Sequence, residues 1–151
     1  MTETITRAFF IDANVFLYYL DPVAPQHAEV CATLENLLNS DATTYTSHHA
    51  IEEVLHTTFL LSRNTQVVQS AAKQLSTIPV VSFIEPEESF DFAHRYAQLF
   101  HNASVGLNDC LLLQLMLDNN ITHLYTYDEK LARAATALNI SSITNNIKSP
   151  L

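Results

Sequence analysis

Glycine, cysteine and basic residues are all scarce in this chain of 151 residues. A single glycine and five prolines exclude a glycine-rich phosphate-binding loop and a low-complexity tract. Two cysteines, Cys31 and Cys110, are too few for a disulfide framework or a zinc cluster, and we expect both to be buried free thiols. The longest strongly apolar run, Leu111 to Leu117, is far shorter than the roughly 20 residues that a membrane helix needs. We therefore expect a soluble cytoplasmic protein with no secretion signal and no membrane contact.

Seven Lys and Arg residues stand against sixteen Asp and Glu, so the formal net charge is −9. A protein that binds long stretches of nucleic-acid backbone normally has a broad basic surface, and the few cations here are scattered along the sequence. Abundant carboxylates suit a site for Mg²⁺ or Mn²⁺. Since 48% of the residues are apolar and only 15% are charged, we expect one folded domain over residues 1–151.

Short apolar or β-branched segments alternate with segments of helical periodicity along the whole chain. This alternation predicts the α/β class, a three-layer α/β/α sandwich around a parallel sheet of about five strands. The predicted strands are Ala8–Ile11, Thr43–Thr46, Val80–Phe83, His123–Thr126 and Ile140–Ile143. The predicted helices after Leu20 begin at Pro25, His48, Val67, Pro86, Asn108 and Glu129.

Acidic residues follow several of these strands or open the next helix. In a parallel sheet such positions meet at the carboxyl edge, where ligands bind. Carboxylates that converge there repel one another unless a cation neutralises them. With Mg²⁺ or Mn²⁺ bound, the same cluster can activate water and stabilise the charge on a phosphodiester. The acids in question are Asp12, Glu52, Glu53, Asp109 and Asp128.

Four motifs in this order resemble those of PIN domains, particularly the VapC-like toxin ribonucleases. They are Phe10-Ile11-Asp12-Ala13-Asn14-Val15-Phe16, then Ser47 with Glu53 six positions later, then Asn108-Asp109-Cys110-Leu111-Leu112, then Tyr125-Thr126-Tyr127-Asp128-Glu129-Lys130-Leu131. The resemblance extends from Phe9 to about Leu138, which is nearly the whole chain.

The resemblance implies a metal-dependent endoribonuclease that cuts RNA with Mg²⁺ or Mn²⁺ as cofactor. It implies Asp12, Glu53, Asp109 and Asp128 as the metal-binding catalytic acids, supported by Asn14, Ser47 and Thr126. It also implies the toxin of a toxin–antitoxin pair, with an RNA substrate, an antitoxin protein and a second copy of the chain as partners. The low basic content departs from many members of this family.

Other interpretations of the same residues remain open at this stage. Asp109 and Asp128 each precede an apolar helix, where acids commonly serve as N-caps. Glu53 lies away from the apolar face of its helix, where a solvated glutamate would also lie, and Glu52 competes with it for the same role. The spacing from Ser47 favours Glu53. His49, Glu53 and His56 share one helix face and could form a two-histidine, one-carboxylate metal site.

Two other functions remain open beside the ribonuclease. Asp12-Ala13-Asn14 loosely resembles the Asp-x-Asp opening of haloacid-dehalogenase-type phosphatases, although the second acid is Asn14 here. A PIN-like module that binds RNA or protein without cutting it is the third interpretation.

Overall fold

The computed structural model describes residues 6–79 and 81–143, which form a five-stranded, wholly parallel sheet flanked by helices. The sheet order is β3-β2-β1-β4-β5, so the first strand lies in the middle. The predicted α/β fold with five parallel strands is therefore confirmed. The strands are β1 (Ala8–Ile11), β2 (Thr43–Thr46), β3 (Val81–Phe83), β4 (His123–Tyr125) and β5 (Ser141–Ile143).

Seven helices within the described residues connect these strands. Crossovers between parallel strands are right-handed, so connections that run in opposite directions across the sheet lie on opposite faces. The chain runs outward from β1 to β3, then crosses back to β4 and on to β5. Its earlier and later helices therefore cover different faces. The helices are α1 (Ala13–Leu20), α2 (His27–Leu38), α3 (His48–Ser62), α4 (Thr65–Leu75), α5 (Phe90–Asn102), α6 (Leu107–Asp118) and α7 (Glu129–Ala137).

Strand β1 is the centre of the hydrophobic core. Its residues Phe9, Phe10 and Ile11 are all buried in succession, as expected of a strand covered on both faces. Phe10 lies opposite Tyr45 of β2 and Leu124 of β4 in the parallel register. The residue that follows β1 is thus held at the middle of the carboxyl edge of the sheet.

Helix α6 packs most of its circumference into the protein, as its almost continuous apolar sequence predicts. Cys110, Leu113 and Met116 are fully buried. At its far end, Asp118 forms an ion pair with Arg95 of α5, which also bonds Asp91 at 3.0 Å. This contact fixes α6 against α5, and it pairs the Arg95 guanidinium with carboxylates of the same chain.

Two helices start later than predicted. Helix α5 begins at Phe90 rather than at Pro86, because the Ser89 hydroxyl caps it by accepting a hydrogen bond from the Phe92 amide at 3.3 Å. Helix α2 begins at His27, two residues after Pro25.

The other boundaries match the prediction or differ from it by one or two residues. Helix α4 starts at Thr65, where Asn64 caps it, and α7 ends before Leu138. Thr126 and Ile140 lie just outside the strands predicted to contain them. Val80, predicted to open a strand, lies outside the described residues.

The chain makes left-handed turns with residues other than glycine. Asn120 and Asn139 adopt φ values of 54° and 61° just after α6 and α7. Asparagine tolerates this conformation better than most side chains, because its amide can bond to the nearby backbone. Arg63 does the same at the C-cap of α3, with φ of 52°. The only glycine, Gly106, instead precedes α6 in an ordinary extended conformation.

Over the described part of the chain, no helix combines the length and the apolar character required to span a lipid bilayer.

Shortening the fully buried Leu113 to alanine should lower the free energy of unfolding by roughly 2–5 kcal/mol, because it leaves a cavity beneath the sheet. Leu117 lies one turn further along α6 with 38% of its surface exposed, and its replacement by alanine should cost less than about 1 kcal/mol. Urea unfolding of both variants measures the difference. Equal losses would contradict the described orientation of α6.

Candidate active site

A small cleft opens at the carboxyl edge of the sheet, beside the ends of β1 and β4. Its volume is about 110 Å³, which is room for an ion and a few water molecules rather than for a nucleotide base. The lining residues come from four separate segments of the chain. They are Asp12, Asn14, Leu17, Ser47, His49, Ala50, Glu53, Asn108, Asp109, Leu111, Leu112 and Asp128.

Asp12 directly follows β1 and is the most deeply buried acid of the cleft, with 8% of its surface exposed. It caps α1, since its Oδ1 accepts a hydrogen bond from the Ala13 amide at 2.8 Å. Its Oδ2 accepts a hydrogen bond from the Thr126 hydroxyl at 2.7 Å. Burial raises the pKa of Asp12 to about 6, and the charges of Glu53 and Asp109 add to this rise against the two hydrogen bonds.

Thr126 connects the residue after β1 with the residues after β4. Its hydroxyl donates to Asp12 and accepts from the Asn14 side-chain amide at 3.3 Å and from the Asp128 backbone amide at 3.0 Å. These three bonds use the full capacity of a hydroxyl group. Asn14 in turn accepts a bond from the Tyr127 amide at 3.2 Å. Thr126 and Asn14 therefore hold the two loops in a fixed relation.

Ser47 plays the corresponding part at the end of β2. It is buried, and its hydroxyl caps α3 by accepting a hydrogen bond from the Ala50 amide at 3.1 Å. The cap fixes the start of α3 so that His49, Ala50 and Glu53 line the cleft. Ser47 itself also reaches the cleft wall.

Asp109 and Asp128 complete the acidic set from the opposite side. Asp109 lies in the first turn of α6, half-buried. Burial raises its pKa, as do the charges of Asp128 and Glu53, and the backbone amide of Gly106 opposes the rise. Asp128 caps α7, with Oδ1 accepting bonds from the amides of Lys130 at 2.9 Å and Leu131 at 3.1 Å. Asp128 therefore caps a helix and also lines the cleft, whereas Asp109 lines the cleft from inside a helix whose N-cap is Gly106.

The structure separates the two neighbouring glutamates on α3. Glu53 lines the cleft and raises the pKa of both Asp12 and Asp109 by its charge, whereas Glu52 is absent from the lining. It also separates the three residues considered as a histidine-rich metal set. His49 and Glu53 reach the cleft, and His56 does not.

Several lining residues were not predicted from the sequence. Leu17 lies one turn beyond Asn14 on α1, so helical spacing from Asn14 could have identified it. Leu111 and Leu112 form an apolar part of the wall next to Asp109. Asn108 precedes Asp109 in a recognised motif, but nothing in the spacing marked it as a cleft residue.

The donor set fits a hard divalent cation in its chemistry. Four carboxylates meet in one cleft, two of them have raised pKa values, and the buried Nε2 atom of His49 has no hydrogen-bond partner. The carboxylates are the oxygen ligands that Mg²⁺ and Mn²⁺ accept, and an imidazole nitrogen is a ligand that suits transition metals. Within residues 6–79 and 81–143, however, no three such side chains are already arranged to hold a metal ion. A bound cation would therefore have to draw the carboxylates closer together.

Comparison with known proteins identifies the family of this chain. The model of the PIN domain family matches residues 9–137, and the chain belongs to this family. Over 125 residues it is 29% identical to ribonuclease VapC23 of Mycobacterium tuberculosis, covering 83% of this chain and 96% of that protein.

Solved structures of the same fold include VapC20 of Mycobacterium tuberculosis, described as a toxin that cleaves the sarcin–ricin loop. It has a TM-score of 0.64 and 18% identity, and the match covers 83% of this chain and 94% of that one. VapBC2 of Rickettsia felis, bound to promoter DNA, has a TM-score of 0.66 at 17% identity, with 89% and 96% coverage. FitAcB of Neisseria gonorrhoeae has a TM-score of 0.62 at 21% identity, with 90% and 96% coverage. At these identities the likeness shows the fold alone.

The buried Asp12 should make the metal-free protein less stable as the pH rises. Its pKa is about 6 in the folded chain against an ordinary value of 3.8, so between these values the folded chain binds more protons than the unfolded chain. By linkage, rising pH through this window should remove about 2–3 kcal/mol of stability. Urea unfolding in EDTA at pH 4 and pH 7 measures the loss.

The matched control for this titration is Asp12→Asn, which cannot ionise at this position. The stability difference between wild type and variant should change by the same amount across the window. Parallel pH profiles for the two proteins would show that Asp12 titrates normally.

Proposed function

We propose that this chain is a metal-dependent endoribonuclease. The observation that carries the proposal is the meeting of four acids from four separate segments in one cleft, at the point of the sheet where parallel α/β folds bind ligands. Family membership and the 29% identity to a ribonuclease support the same conclusion. The proposed metal-binding catalytic residues are Asp12, Glu53, Asp109 and Asp128, with Mg²⁺ or Mn²⁺ as the cofactor.

Each acid contributes differently to such a site. Asp12 is held in one orientation by its two hydrogen bonds, so it presents a fixed carboxylate at the base of the cleft. Glu53 is exposed on α3 and can move toward an ion that Asp12 has positioned. When bound, the cation supplies Lewis acidity that activates water and stabilises the charge of a phosphodiester. Asn14, Ser47 and Thr126 support the acids by fixing the loops and helix starts.

The toxin of a toxin–antitoxin pair is the proposed biological role. An apolar groove of about 530 Å³ adjoins the cleft between α1, α3 and α4, and it shares Asn14 and Leu17 with the cleft lining. Leu61 in this groove leaves 81% of its surface exposed. We propose that an antitoxin protein covers the groove and places an arginine or lysine among the carboxylates.

A short reading frame beside the gene would support the antitoxin, and its absence would weaken the toxin role. A second copy of the chain is the other proposed partner, and light scattering of the purified protein tests it.

A phosphatase has little support in this geometry. Asn14 stands where a phosphatase of the haloacid-dehalogenase type has its acid–base aspartate, and both ends of its amide are engaged, with Thr126 and with Tyr127. A non-catalytic PIN module is the outcome if the acidic site proves inactive.

The substrate strand should leave the cleft along α7. Lys130 and Arg133 are exposed in the first two turns of the helix that Asp128 caps at the cleft. Arg95 is already bonded to Glu87, Asp91 and Asp118. Arg63 lies at the opposite end of the 15-residue α3, about 22 Å from its start at the cleft. Lys130 and Arg133 are the proposed phosphate contacts, because they lie on the helix that begins beside the cleft.

Asp12→Asn and Asp109→Asn should each reduce RNA cleavage by roughly 100-fold or more, because each removes charge from the site that holds the cation. Glu53→Gln should act in the same direction, and Glu52→Gln, one residue away and outside the cleft, should leave cleavage within about twofold of wild type. The assay uses total cellular RNA with Mn²⁺ and maps new ends by sequencing. Full activity in Asp12→Asn would refute the proposed mechanism.

The double variant Lys130→Ala/Arg133→Ala should bind RNA more weakly and flatten the salt dependence of binding. Each lost phosphate contact should reduce the slope of log K against log salt by about 0.7 to 0.9. Arg63→Ala is the control that removes one positive charge at a distant site, and it should leave the slope unchanged. An unchanged slope in the double variant would place the RNA on another surface.

A further inference from the structure

His49 is the cleft residue for which the proposed reaction so far has no use. It lies in the first turn of α3 and lines the cleft with the four acids. Its Nε2 atom is buried, and no hydrogen-bond partner for it exists among the described residues. A buried ring nitrogen without a partner is unfavourable, and such atoms commonly find one in water, an ion or a ligand. Because His49 lines the cleft, a group that enters the cleft is a candidate partner of this nitrogen.

The surroundings of His49 favour a cation as that partner. Glu53 lies four positions further along α3, so its side chain and that of His49 are neighbours on the same helix face and line the same cleft. Two ligands spaced in this way can bind one ion, as the two histidines of a zinc-binding helix do. The remaining charged groups of the wall are Asp12, Asp109 and Asp128, which attract a cation and repel a phosphate.

We propose that His49 supplies a nitrogen ligand, through Nε2, to the divalent cation that Glu53 and the aspartates hold. The inference rests on the proposed metal-dependent function and adds a ligand to it. Imidazole suits transition metals, whereas Mg²⁺ prefers an all-oxygen set. The cleft therefore selects Mn²⁺ over Mg²⁺, and the selection depends on His49.

Calorimetric titration of the metal-free full chain with Mn²⁺ and with Mg²⁺ tests the selection. His49→Asn should weaken Mn²⁺ binding about tenfold and Mg²⁺ binding much less, because the variant loses the imidazole nitrogen. His56→Asn is the matched control, since His56 is exposed on the same helix and lies outside the cleft lining. It should change neither affinity. Thermal melting in EDTA checks that both variants are folded.

Pulsed electron paramagnetic resonance of the Mn²⁺-loaded protein provides a readout that needs no RNA. Coupling to an imidazole nitrogen should be present in wild type and in His56→Asn and absent in His49→Asn. Mn²⁺ binding without nitrogen coupling in wild type would overturn the role of His49 and leave the carboxylate site standing. Coupling retained in His49→Asn would also overturn it. Failure of wild type to bind either ion would instead count against the proposed metal-dependent function.

Discussion

The hydrogen bond from the Thr126 hydroxyl to the Asp12 carboxylate connects the two halves of the candidate site. Asp12 directly follows the central strand β1, and Thr126 directly follows its neighbour β4, so one contact of 2.7 Å joins the first and last of the four motifs. The same hydroxyl also binds Asn14 and Asp128. The parallel pairing of β1 with β4 brings these residues together, and the hydroxyl then fixes their side chains. The positions of two of the four acids depend on it directly.

The buried carboxylate of Asp12 lowers the stability of the fold. Asp12 is surrounded by core residues on one side and by Glu53 and Asp109 on the other, which is why its pKa is raised to about 6. A core designed for stability alone would place an apolar side chain there. The negative charge that destabilises the metal-free protein is the same charge that would attract a cation. Stability and cation binding therefore cannot be optimised separately.

Much of the fold could be predicted from the sequence because its signals are local. The nearly continuous apolar runs of β1 and α6 reflect burial at each residue, and the structure agrees with both. The predicted start of α5 at Pro86 was wrong, because Pro86 and the acids after it fit a helix N-terminus as well as Ser89 does. Only the hydrogen bond between the Phe92 amide and the Ser89 hydroxyl distinguishes the two starts. Spacing favoured Glu53 over Glu52, whereas the charge contacts across the cleft come from tertiary packing. The unpartnered Nε2 of His49 has no local sequence signal at all.

Three of the four acids also stabilise the N-termini of helices: Asp12 and Asp128 cap helices, and Asp109 lies in the first turn of another helix. Selection for folding alone would therefore tend to retain these three acids even in descendants without the proposed activity. The Glu53 side chain is exposed and forms no hydrogen bond with the described residues, so only the proposed activity would conserve it. In an evolutionary lineage of this domain, loss of the glutamate at this position would therefore be the earliest mark that the proposed activity had been lost.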